Sequence, residues 1–360
     1  MAETRTLSLG DAIREGLTEA AMRHSEVLIL AEGVADPSSV YGTTKDIGKH
    51  IDPRRVIEMP VSENALTGVA IGAALMGKRP VINFHRVEFA LLAMEQIINN
   101  AAKAHYISNG RHKVPLLLRL VIGRGWGQGP EHSQSLEAVF SHVPGLKVVM
   151  PTYPRDGKGL VIAAIEDDNP VIMIEHRWCH YVTGQVPAGY YTEPLDGPRA
   201  VHRGKDITIV ATSYMTLEAV RAAEALETLG KSATVLDLRV LRPLNLKPIE
   251  QSLRETGRLL TVDTGFRKFG VGAEIVAELV SNCFDVLKCA PQRMGLPDHP
   301  TPSSRGLVKG FYPDAPAILR NAGRMLGLDE AAVERAAAGI VAQRKDLPLD
   351  VPDPFFKGPF

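Results

Sequence analysis

RVIEMPVSENALTGVAIGAALMG, residues 55–77, changes its hydrophobic pattern partway along. The first part, RVIEMPV (55–61), is a short apolar run of strand type that stops at Ser62 and Glu63. The second part, NALTGVAIGAALMG (64–77), has the period of a helix and is rich in glycine and alanine. Gly68 and Gly72 stand four apart, so one helix face is nearly bare backbone on which another element can pack closely. The same spacing occurs in membrane dimers, but this helix is too short and is flanked by charge, so close packing in water is the better reading. A strand that passes directly into a helix is the building unit of a parallel sheet covered by helices.

The pattern repeats on both sides. Before it come a helix over 8–23 and the buried-type strand VLILA (27–31). After it come VINFH (81–85), a long helix near 90–108 stopped by Asn109-Gly110, and VPLLLRLVI (114–122). The glycine-rich loop GRGWGQGP (123–130) then leads into a helix near 133–142. Strand 147–151, helix 155–166 and strand 170–175 complete this half. A second alternation runs through strands 207–212, 232–239 and 258–264 with helices 215–229, 247–256 and 271–281. The expected organisation is a first α/β domain over 1–185, a linker over 186–206, a second α/β domain over 207–335 and a tail over 336–360.

Composition narrows the function. The 360 residues carry 41 Lys plus Arg against 41 Asp plus Glu, so neither a broad basic nucleic-acid surface nor a polybasic membrane anchor is expected. No apolar stretch approaches the roughly 18 residues of a membrane span. Three cysteines make no disulfide framework, and Met1–Arg14 shows no apolar signal core, which together point to a cytoplasmic protein. There is no GxxxxGK[ST] phosphate loop and no GxSxG elbow. His176, Cys179 and His180 are spaced for one helix face, but no fourth zinc ligand is evident.

Two constellations remain. Glu63 stands at a strand-to-helix junction, where it is either a charge complementing the helix dipole or a carboxyl at the ligand-binding edge of a parallel sheet. His132 follows the glycine-rich loop at the expected start of a helix. There the dipole would favour a neutral imidazole able to act as acid or base, or Ser133 or Ser135 simply caps the helix and His132 is incidental.

Ser62-Glu63 with its Gly/Ala helix, His132-Ser133-Gln134, PGLKVV (144–149), IEDDNPVIMIE (165–175), DLRVLRPLN (237–245) and the TGRLLTVDTG…GVGAEI region (256–275) are collinear. Together they resemble the beta subunit of thiamine diphosphate-dependent 2-oxoacid dehydrogenases, relatives of transketolase, over about residues 5–330. The resemblance implies a pyrimidine-binding first domain and a transketolase C-terminal-type second domain. The GDG…N motif that binds the diphosphate through Mg2+ belongs to the alpha-type partner subunit, and no GDG occurs here. An α2β2 enzyme with a cofactor bridging two chains is implied, passing its acyl unit to the lipoyl group of an acyltransferase. Glu63 would hydrogen-bond the pyrimidine, Phe89 would pack on it, and Val61 and His85 would lie beside it. His132 would steer protons during acyl transfer. A structural K+ would be held by Leu116, Ala164, Ile165, Asp167 and Asn169.

The chain departs from the family on the substrate side. Glu131 replaces a glutamine, GRGWGQGP replaces an RGPNG loop, and NFHRVEF replaces an acidic EF…F pattern. His85, Arg86, Arg124 and Trp126 would then shape an altered pocket for a phosphorylated or carboxylated substrate, or the loop has drifted in solvent. A split transketolase-like carboligase that uses an aldehyde or sugar acceptor is the second reading, and a catalytically silent scaffold the third. Phe355, Phe356 and Phe360 on the Pro-punctuated tail would dock on a partner, or the tail is a loose end.

Overall fold

The structure is a computed structural model and describes residues 4–34, 39–125 and 127–343. It divides into two compact units, one holding residues 4–125 and 131–195, the other 127–130 and 196–343. Residues 127–130 of the glycine-rich loop group with the second unit, although the sequence places that loop in the first.

The first unit is built on β2 (Val27–Ala31), β3 (Val56–Glu58), β4 (Arg79–Phe84), β5 (Leu117–Ile122), β6 (Lys147–Val149) and β7 (Val171–His176). Their order is β6-β7-β5-β4-β2-β3, all parallel. β5 and β7 are buried at every position, so they read as continuous apolar runs rather than alternating ones. Helix α1 (Leu9–Arg23) starts where the Ser8 hydroxyl accepts the Asp11 amide at 3.1 Å, and it buries Leu9, Ile13, Leu17, Ala20 and Ala21. It packs on α5 (Pro154–Glu166) at backbone distance. A Cβ on Gly16 would stand 2.8 Å from the Lys158 carbonyl, and one on Gly157 would stand 2.3 Å from Leu9.

Helix α2 (Glu63–Leu75) follows β3 as the sequence implies. The single long helix expected near 90–108 is instead a 3-10 turn (Val87–Ala93), a π-helical stretch (Glu95–Ala101) and a short α3 (Ala102–Ile107). The Asn100 side-chain amide donates to the Glu95 carboxylate, five residues back, at 3.1 Å. The helix expected near 133–142 is only α4 (Glu137–Ser141). The Gln134 amide is taken by the Glu88 carboxylate at 2.6 Å and the Ser135 hydroxyl by Glu137 at 2.7 Å, so the segment before α4 is held by side chains. The helix-start argument for His132 therefore fails.

The region expected as a linker is structured at both ends. β8 (Thr183–Pro187) pairs antiparallel with β1 (Thr4–Ser8). β9 (Arg199–His202) joins the second sheet against β11 (Ala233–Asp237). That sheet runs β14-β13-β10-β11-β9, with β10 (Ile207–Ala211), β13 (Leu259–Phe266) and β14 (Gln292–Leu296) parallel to their neighbours. A short β12 (Val240–Arg242) lies between β11 and α7 (Lys247–Thr256) in the chain. Helices α6 (Tyr214–Glu227) and α8 (Val271–Cys283) complete the alternation read from the sequence. Two further helices, α9 (Ala315–Leu326) and α10 (Glu330–Gln343), lie beyond it. The expected tail boundary at 335/336 cuts through α10, whose Val333 and Ala337 are buried on either side of it. Phe355, Phe356 and Phe360 lie outside the described residues.

Candidate active site

The parallel order of the first sheet brings the exits of β2, β3, β4 and β5 to one edge, where ligands of such sheets bind. β3 leaves through Met59, whose amide donates to the Ala31 carbonyl at 3.0 Å, and the chain turns through an exposed Val61 into α2. The first residue of α2 is Glu63, only 6% exposed. Its carboxylate has no hydrogen-bond or ion-pair partner among the described residues. Glu32, which follows β2, accepts the Ser62 amide at 3.2 Å. Burial and the Glu63 charge push the Glu32 carboxyl above its usual range, against the bond from Ser62.

β4 delivers five consecutive side chains to the same edge. The His85 Nε2 lies 2.8 Å from the Glu32 carbonyl. A carbonyl only accepts, so Nε2 is the donor in this bond. Arg86 is buried and donates to the Gly123 carbonyl at 2.8 Å. Val87 is buried beneath. Burial raises the Glu88 carboxyl, while the Gln134 amide, its own amide and the charges of Arg86 and His132 oppose the shift. Phe89 meets the His132 ring edge-on at 5.7 Å. Glu88 and Phe89 thus tether the loop that carries His132, which is itself exposed.

Gly123 leaves β5 at φ +92°, and a Cβ there would lie 2.7 Å from the His176 ring. His176 is pulled down to about 3 by burial, then by the charges of His180, Arg177 and Arg86, and stays neutral. Its ring meets Trp178 edge-on at 4.8 Å between ring centres, and the Trp178 indole donates to the Arg124 carbonyl at 2.8 Å. His180 bonds Glu175 at 2.9 Å, so these histidines build the wall behind the loop. Among the described residues no three His, Cys, Asp or Glu side chains are placed to hold a metal ion.

The edge therefore gathers Glu63, His85, Arg86, Phe89, Arg124 and His132 of the residues singled out in the sequence. Glu131 is exposed, and Trp126 lies outside the described residues. Glu32 and Glu88 were not anticipated. Glu88 left a signal, a lone acid inside the apolar run VEFALLA (87–93).

The expected potassium ligands sit elsewhere, at the entry to β5 and the end of α5. One Arg79 nitrogen donates to the carbonyls of Ile165 at 2.9 Å and Asp167 at 3.0 Å. The Leu116 carbonyl accepts the Val171 amide at 2.9 Å, and Asn169 donates its side-chain amide to Asp167 at 2.9 Å. Ala164 is buried on α5 beside them. The donors are all oxygens, as a hard cation requires, and each peptide carbonyl can accept twice.

The family described as Transketolase, pyrimidine binding domain matches residues 5–179. Transketolase, C-terminal domain matches 198–318. The chain is 39% identical over 305 residues to the pyruvate dehydrogenase E1 component subunit beta of Gracilaria tenuistipitata var. liui, covering 84% of this chain and 94% of that protein. It is 36% identical to the acetoin:2,6-dichlorophenolindophenol oxidoreductase subunit beta of Cupriavidus necator, over 87% of this chain and 96% of that one. A solved split-gene transketolase, described as an inactive beta4 tetramer, superposes with a TM-score of 0.72 at 24% identity. It covers 89% of this chain and 99% of that one, and shows the fold.

Proposed function

Because the chain belongs to the transketolase-like family of thiamine diphosphate-dependent 2-oxoacid dehydrogenase beta subunits, we propose that it is one half of an enzyme that decarboxylates a 2-oxo acid and passes the acyl unit to a lipoyl carrier. The carrying observation is Glu63, a buried carboxylate without a protein partner at the ligand edge of a parallel sheet. A buried polar group without a partner is costly, so the arrangement suits a ligand that donates to it. A pyrimidine ring does so through a protonated nitrogen.

When bound, thiamine diphosphate supplies the electron-accepting ring that decarboxylation of a 2-oxo acid requires. Glu63 would hold the pyrimidine ring through a hydrogen bond to its nitrogen, and Phe89, Val61 and His85 are the side chains that would hold the ring beside it. His85 is oriented by the Glu32 carbonyl. His132 would move protons during acyl transfer, and Phe89 with Glu88 holds the loop on which it stands.

Magnesium and the diphosphate are assigned to an alpha-type partner carrying GDG, in an α2β2 assembly. Potassium is assigned to Leu116, Ala164, Ile165, Asp167 and Asn169, sharing two carbonyls with Arg79.

A split transketolase-like carboligase is the second reading, supported by the loop GRGWGQGP (123–130) standing where the family carries RGPNG. The choice is tested by mixing the chain with alpha-type subunits, thiamine diphosphate, Mg2+ and a panel of 2-oxo acids. The expected result is acylation of a lipoyl domain that disappears without Mg2+, and a lower thermal midpoint when tetramethylammonium replaces K+. Turnover with aldehyde acceptors alone would instead establish the carboligase.

The subunit contact is assigned to α2. Ala65, Val69, Gly72 and Met76 recur at helical spacing and are exposed, Val69 by 54% and Met76 by 83%. An apolar exposed stripe of this kind marks an interface. Val69→Asp is expected to leave the chain folded but unassembled on gel filtration with its partner. Normal co-elution would remove the assignment.

A further inference from the structure

In the second unit, β13 and β14 run parallel, and their C-terminal ends open onto a cavity of about 620 Å3. That is the edge where open parallel sheets bind ligands, and the size is that of a small-molecule site, roughly 300–1,000 Å3. Four cations line the cavity, Arg267, Lys268, Arg293 and Arg320, against two carboxylates, Asp298 and Asp314.

Most of these charges are already engaged. Lys268 pairs with Asp298. Arg320 makes a two-pronged contact with Glu334 at 2.6 and 2.9 Å. Asp314 caps α9 by accepting the Ala317 amide at 2.9 Å. Arg267 and Arg293 are different. Neither has a carboxylate partner among the described residues. Arg293 is held in place by a 2.8 Å bond from Nη1 to the Arg267 carbonyl, and the Arg267 amide is tied to Leu296 at 3.1 Å. One guanidinium is therefore positioned before any ligand arrives, and the backbone beside the other is fixed. The remaining wall is apolar. Met294, Pro297 and Tyr312 line it, with the Tyr312 ring braced edge-on by Phe311 at 5.1 Å. Phe311 is itself packed on Leu296 and Val308.

We propose that this cavity binds a phosphate-bearing small molecule of nucleotide type, its phosphates on Arg267 and Arg293 and its ring system against Met294, Pro297 and Tyr312. Guanidinium forks match phosphate oxygens two at a time, and a low-polarity wall suits a planar base. The site uses none of the residues assigned to thiamine diphosphate and does not rest on the reaction proposed above.

The test uses the full chain, with ADP and inorganic pyrophosphate as probes, read by calorimetry and by thermal shift without partner subunits. Both probes are expected to bind and compete, ADP more tightly. Arg267→Gln with Arg293→Gln is expected to weaken both by about tenfold or more. Tyr312→Ala is expected to weaken ADP and spare pyrophosphate. Arg267→Gln alone keeps the measurement valid if the double variant folds poorly, because that side chain has no hydrogen bond or ion pair among the described residues to lose. No binding of either probe at millimolar concentration overturns the proposal. So does binding that Arg267→Gln leaves unchanged, or binding that Glu63→Ala abolishes.

Discussion

Glu63→Ala is expected to lower the activity of the reconstituted enzyme by about 10²- to 10⁴-fold, the usual contribution of one positioned acid–base group. The isolated chain should not suffer. Glu63 is buried without a hydrogen-bond or ion-pair partner among the described residues, so its removal deletes a costly buried polar group and no such bond. The thermal midpoint of the chain alone should therefore hold or rise slightly. A second signature comes from Glu32, whose carboxyl is raised by burial and then by the Glu63 charge. In Glu63→Ala, and equally in Glu63→Gln, Glu32 should titrate lower, which carbon-detected NMR of the carboxyl resonances reads directly. Undiminished activity would remove Glu63 from the catalytic machinery. An unmoved Glu32 would remove the electrostatic link between the two acids.

Glu175→Ala is expected to cost about 3–5 kcal/mol, enough to unfold much of a marginal domain. Arg119 and Glu175 are both fully buried. Arg119 donates to the two carboxylate oxygens at 2.6 and 2.8 Å and to the Thr43 hydroxyl at 2.7 Å, and His180 closes the cluster at 2.9 Å. Removing the acid leaves a guanidinium in the sheet interior with its charge uncompensated. Replacing both members by apolar residues, Arg119→Met with Glu175→Leu, should recover most of the loss.

The pair also sets a pH limit. Burial alone would raise Glu175, but the Arg119 charge and the bonds from His180 and Arg119 outweigh it and hold the group at about 2. A carboxyl depressed in the folded state stabilises fully above its unfolded value, near 4.5. That contribution is lost as pH falls from there toward 2. Urea melts at pH 7 and at descending pH should show a smaller loss in the double variant than in the wild type, because Glu166, Asp168 and Asp206 remain depressed in both. A single variant costing under about 1 kcal/mol would show that the cluster relaxes or admits water.

Local patterns that recur were legible in the chain. The strand-to-helix step at 55–77, the buried runs that became β2, β5 and β7, and the α6–α8 alternation all follow from apolar period and length. Features decided by tertiary partners were not. β1 and β8 stabilise each other by antiparallel pairing across most of the first unit, and neither carries an apolar period of its own. The segment at 131–136 failed to become helix because Glu88, far back in sequence, takes the Gln134 amide. α9 could have been found, since Asp314, Pro316 and Gly327 are ordinary start and stop signals. At the site, Glu63 and His132 were found by motif and Glu88 by none. The acid gains its meaning from burial beside Arg86 and from the loop it tethers.

The open face of α2 sets two kinds of selection against each other. Beyond the helix's own backbone and the neighbouring residues, no atom lies within 4 Å of where a Cβ on Gly72 would stand, and a glycine inside a helix is less stable than alanine there by about 1 kcal/mol. Heat-based screening of the isolated chain will reward side chains at position 72. Screening by turnover of the assembled enzyme will punish them more as they grow. An engineer who optimises this subunit alone would be selecting, unknowingly, for a better monomer and a worse enzyme.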